Sequence, residues 1–161
     1  MRALLITALL AAATFNFHST AQAECVPTKS VPAATADYNA ELAASDVSLK
    51  QSYAAALSAY NNALAGATKN YYRELDIARD IFAQKINAIS AKRFEPEWRQ
   101  QVEAITAEFN QSEAVAASNY NLATQNAKAI YTSNVIRAQT SYSSEVQTAA
   151  TRYNQAVCAQ P

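Results

Sequence analysis

The segment YTSNVIRAQTSYSSEVQTAATRY, residues 131–153, returns a tyrosine at Tyr131, Tyr142 and Tyr153, eleven residues apart each time, with no glycine or proline between them. Eleven residues make three helical turns at about 3.67 residues per turn, so a residue type recurring at that interval stays on one side of an α-helix. The grid extends back through Tyr120, Phe109 and Trp98, and the first half of the chain carries its own: Tyr38, Leu49, Tyr60, Tyr71 and Phe82. Ten of these eleven positions are aromatic and the other is leucine, which chance explains poorly.

Two further columns run beside the aromatic one. Four residues after it come Leu42, Tyr53, Leu64, Leu75 and Ile86, then Val102, Glu113, Thr124, Val135, Val146 and Val157. Seven after it the residues are mostly small: Ser45, Ala56, Ala67 and Ala78, then Ala116, Ala127, Ala138 and Ala149, with Ile89 and Ile105 as exceptions. Together they form one continuous helical stripe. A heptad reading fails, because the series from Tyr53 and Tyr60 continues through Ala67 to Glu74.

The two grids differ in phase and break at RFEPEWR, residues 93–99. Pro96 cannot lie inside a helix without removing a hydrogen bond, but it suits the start of a new one, and Glu97 favours a helix N-terminus. The sequence therefore predicts helix one over residues 37–93, a tight turn over 94–97 and helix two over 98–157, with a Pro-containing lead over 24–36 and a short end over 158–161. Gly66 is the one competing break. The stripe keeps phase across it, so a weakened but continuous helix is expected.

Folding the chain back at Glu95–Pro96 places opposite each other residues whose numbers total 191. The aromatic seam then meets rung by rung: Tyr38 with Tyr153, Leu49 with Tyr142, Tyr60 with Tyr131, Tyr71 with Tyr120 and Phe82 with Phe109. The flanking columns cross over, large against small: Leu42 faces Ala149, Tyr53 faces Ala138, Leu64 faces Ala127 and Leu75 faces Ala116. Alternating bulk with alanine lets helices approach closely without voids. The expected fold is all-α: a long antiparallel two-helix hairpin, coiled-coil-like, with nearly straight helices. Because one stripe must offset the ordering of over 100 residues, two hairpins pairing into a four-helix bundle are expected to supplement it. Glu113, inside the aliphatic column, is expected to lean to the rim toward Arg79, and the end near the turn, rich in Ile, Phe and Trp, is expected to be dry.

The ends bear on compartment. A basic Arg2, an eleven-residue apolar run at 3–13 and Ala21-Gln22-Ala23 predict a cleaved export signal over residues 1–23; the run is too short to cross a bilayer. Export makes a disulfide between Cys25 and Cys158 the default expectation, with location periplasmic or secreted. That bridge requires the two ends of the mature chain to meet.

The mature chain keeps 12 basic and 13 acidic residues, a formal charge of −1, which argues against a nucleic-acid partner. His18, the one histidine, leaves with the export signal, so the usual nucleophile–base pairs and zinc sites lack parts. No enzyme activity, cofactor, metal or small-molecule substrate is expected. The reading favoured is an exported structural or interaction protein that presents an apolar tip to a protein partner or to itself, with Ile77, Ile81, Val115, Phe94 and Trp98 as candidate contact residues. The alternatives are a membrane-surface amphipathic helix, which the Asn-, Gln-, Ser-, Thr- and Ala-rich outer face disfavours, and a holdase-like chaperone or carrier using the aromatic seam.

Overall fold

Ser30 opens the first helix: its carbonyl accepts the Ala34 N–H at 2.9 Å. Pro32 falls in the first turn, where a missing N–H costs nothing. In the computed structural model, which describes residues 26–93 and 95–158, α1 runs Val31–Ile89, a 3-10 turn follows at Ser90–Lys92, and α2 runs Trp98–Val157. The two long helices pack on each other as an all-α helical hairpin. The export signal, Cys25, Phe94 and residues 159–161 lie outside the described residues.

α2 starts at Trp98, α1 gives way to the 3-10 turn after Ile89 where a helix to 93 was expected, and α1 starts six residues earlier than position 37. The reason is readable in the grid. Ala34 stands eleven before Ser45, so the small column continues to it, and it is buried. Pro96 sits in the turn ahead of α2 instead of inside it; the Glu97 carbonyl accepts the Gln101 N–H at 3.1 Å and starts the helix.

The chain divides into two compact units, each with the same internal rule. In the second, residues 46–143, three aromatic rungs close the seam: Tyr60–Tyr131 at 5.4 Å between ring centroids, Tyr71–Tyr120 at 5.5 Å and Phe82–Phe109 at 5.2 Å. All three are tilted, the arrangement ring quadrupoles prefer. In the first unit, which pairs residues 26–45 with 144–158, Tyr38 meets Tyr153 at 5.7 Å. All four of these ring pairs satisfy the total of 191.

The deepest positions are the alanines and not the rings. Ala56, Ala67, Ala78, Ala116, Ala127, Ala138 and Ala149 are buried, with Leu75 and Ser45 beside them, while the seam aromatics stay half-buried. Small residues mark where the backbones come closest; the rings bridge the seam and keep an edge in water. The same limit corrects the expectation of a dry tip. Phe82, Ile86, Ile89, Trp98, Val102, Ile105 and Phe109 are each half-buried, because a two-helix layer gives a side chain only one neighbouring element to bury against. Glu113 is half-buried too, but Arg79 does not reach it: that guanidinium pairs with Asp76 on its own helix at 3.4 Å.

Gly66 lies inside unbroken α1, and a Cβ built on it would meet nothing within 4 Å. Gly66→Ala is therefore expected to stabilise the chain by about 1 kcal/mol, from helix propensity and reduced freedom of the unfolded chain. Urea unfolding followed by circular dichroism checks this; an unchanged midpoint would refute it.

Candidate partner-binding flank

Among the described residues, polar bonds between the helices join residues whose numbers total 193, two beyond the seam register, at Glu41 with Arg152 at 3.3 Å, Glu74 with Asn119 at 3.2 Å, and Lys85 with Glu108. In α1 the partner stands three residues after a seam aromatic; in α2 it stands one before. By three-turn geometry these positions all lie on one side of the seam, which defines a polar rim. The charged partners are substantially exposed, so each pair contributes little stability and serves mainly to fix register. The seam total of 191 does not find these pairs, since it sets Glu41, Glu74 and Lys85 opposite Ala150, Ala117 and Thr106.

On that rim in the second unit, Glu74, Ile77, Ile81 and Lys85 follow one another along α1 at spacings of three and four, and Glu108, Ser112, Val115 and Asn119 do so along α2. The two polar cross-links thus frame an apolar patch. Ile77 is 52 % exposed, Ile81 47 % and Val115 52 %. These are branched side chains that ordering has left in water, and burying them against another surface would recover about 25 cal/mol per Å². Ile81 also borders a small crevice with Phe82, Lys85, Ile105, Glu108 and Ser112. Trp98 is placed differently: it is half-buried, and its indole Nε1 is enclosed with no acceptor among the described residues.

The first unit has a cavity of about 390 Å³ lined by Lys29, Asp37, Tyr38, Glu41, Arg152 and Tyr153, among others. Its charges are already matched, Lys29 with Asp37 and Arg152 with Glu41, so it presents no net field to a charged ligand. The lead that bounds it is held by backbone bonds: the N–H groups of Thr28 and Lys29 both donate to the Ala156 carbonyl, at 3.0 and 3.2 Å. That carbonyl belongs to the last turn of α2, which has no intrahelical donors, so the lead acts as its cap.

The chain matches no family model, no curated protein and no solved structure. Among the described residues no group of three or more His, Cys, Asp or Glu side chains comes together, and no helix is long and apolar enough to cross a membrane.

Proposed function

We propose that this chain is a non-enzymatic exported structural protein, a helical hairpin that offers the flank bearing Ile77, Ile81 and Val115 to a protein partner. One observation carries the reading. Ile77 and Ile81 stand on two columns of α1 that elsewhere in the same unit hold only small or polar residues, Ala55, Gly66 and Ala88 on one, Ser48, Ala59 and Asn70 on the other. Bulk returns on those columns at one place, on the rim where two cross-links hold the surface in register. A rigid apolar patch with a polar border is the usual anatomy of a docking surface.

The proposal includes a Cys25–Cys158 bridge that holds the open end of the hairpin. Its support is that Cys158 is not a free thiol and that the lead residues Thr28 and Lys29 are bonded to Ala156, two positions before it. Export, to a periplasm or outside the cell, follows from the same reading, as does the expectation of no nucleic-acid partner and no small-molecule substrate.

A photo-cross-linking residue at position 81 of the chain, expressed in its own host, is expected to give a discrete protein adduct, and one at exposed Thr132 on the other side of the seam is not. Ile77→Ser, which leaves helix content unchanged, is expected to remove the adduct. Equal labelling at both positions would overturn the reading.

A further inference from the structure

We propose that the partner on this flank is a second copy of the same chain, docked antiparallel about a two-fold axis through the patch. The inference rests on the docking role above and deepens it. A two-fold axis sets each group on the surface against a group on the same surface of the second copy, and the charged groups of the flank are complementary under it. On α1, a reversal that brings Glu74 opposite Lys85 of the second copy uses pairs totalling 159, and it leaves Ile77 within one residue of facing Ile81 of that copy, a total of 158. On α2, Glu108 and Asn119 total 227, and so do Ser112 and Val115. The two centres coincide: with the cross-links in the 193 register, a reversal that exchanges 74 with 85 on α1 must exchange 119 with 108 on α2.

The complementarity is electrostatic as well as positional. Each Glu74 would meet a lysine, each Glu108 an asparagine amide, and no like charges face one another; the isoleucines would close over the centre. The positional match follows from the two cross-links sharing one register; the opposite charges at positions 74 and 85 are what favour a second copy. Three half-exposed side chains amount to well under the roughly 800 Å² per partner of a standard stable interface, so the dimer is expected to be weak and concentration-dependent, in the micromolar range.

The test uses the mature, oxidised chain in sedimentation equilibrium across a concentration series. Glu74→Lys and Lys85→Glu, each alone, set like charges face to face between copies and are expected to weaken self-association at least tenfold; Lys85→Gln, which removes the cross-link to Glu108 without reversing the charge, is expected to weaken it less. The double variant, and equally a mixture of the two single variants, is expected to recover it. Positions 74 and 85 are three turns apart on one helix, about 16 Å, so they cannot touch within a chain and recovery reports contact between chains. Circular dichroism on each variant separates loss of docking from loss of fold. A chain monomeric at every concentration, or a dimer that the double variant fails to restore, overturns the proposal. If the photo-adduct at position 81 instead contains a different protein, the docking role stands and self-association alone falls.

Discussion

Replacing Cys158 by serine is expected to cost the mature oxidised protein about 5 kcal/mol of stability in the chain-entropy model, the largest single effect predicted for this fold. The proposed bridge to Cys25 would close a loop of about 130 residues, so its removal frees nearly the whole unfolded chain. One other contribution at the same position must be separated from it. Cys158 holds a left-handed backbone, with φ of 54°, directly after α2, a conformation that glycine adopts freely and other residues adopt at a cost of about 1 kcal/mol. Cys158→Gly loses the bridge but relieves that cost, so it should unfold at a higher urea concentration than Cys158→Ser while both fall well below the parent. Reduction of the parent should reproduce the serine variant. A serine variant as stable as the oxidised parent would remove the bridge from the account.

Much of this fold was legible in the sequence because its period is unambiguous. Tyr131, Tyr142 and Tyr153 give the repeat, the phase change at residues 93–99 gives the reversal, and matching one grid against the other gives the rungs that the rings then occupy. What escaped that reading did so for separate physical reasons. Ala34 was in phase, but it precedes Tyr38, the first aromatic from which the grid is counted. The capping of Ala156 by Thr28 and Lys29 joins main-chain atoms far apart in sequence, and backbone groups are the same in every residue, so no side-chain pattern announces it. Glu113 was aimed at Arg79 on register alone, when Asp76, one turn away on the same helix, was the nearer partner for that guanidinium. The candidate flank was legible only in part: Ile77, Ile81 and Val115 were visible as off-stripe apolar residues, whereas the polar frame that gives them a border emerges only with the 193 register.

Ala116→Leu is expected to destabilise the chain by about 3 kcal/mol, the upper range for overpacking a tight site. Ala116 is 1 % exposed, and the fold-back register sets it against Leu75, itself buried. Three added carbons have nowhere to go unless the helices separate, and separation would pull the Tyr71–Tyr120 and Phe82–Phe109 rungs apart on either side. A globular core can spread such strain over many neighbours; a two-helix seam has only the facing helix to absorb it. The control is Ala65→Leu, at an exposed position of α1, which should change stability by less than about 0.5 kcal/mol. Thermal melts of the two variants decide it: similar midpoints would mean that the small column does not set the helix separation.

An eleven-residue period also makes length a quantity that comes in fixed increments. Excising residues 61–71 from α1 together with 120–130 from α2 removes one rung, Tyr71 with Tyr120, and returns Tyr60 with Tyr131 and Phe82 with Phe109 to adjacent steps, all columns still in phase. An excision that is not a multiple of eleven residues rotates one half of each stripe away from its partner. Chains built on this plan can therefore lengthen or shorten by about 16 Å at a time and by nothing in between, which lets spacing change while the rule that pairs the helices is inherited intact.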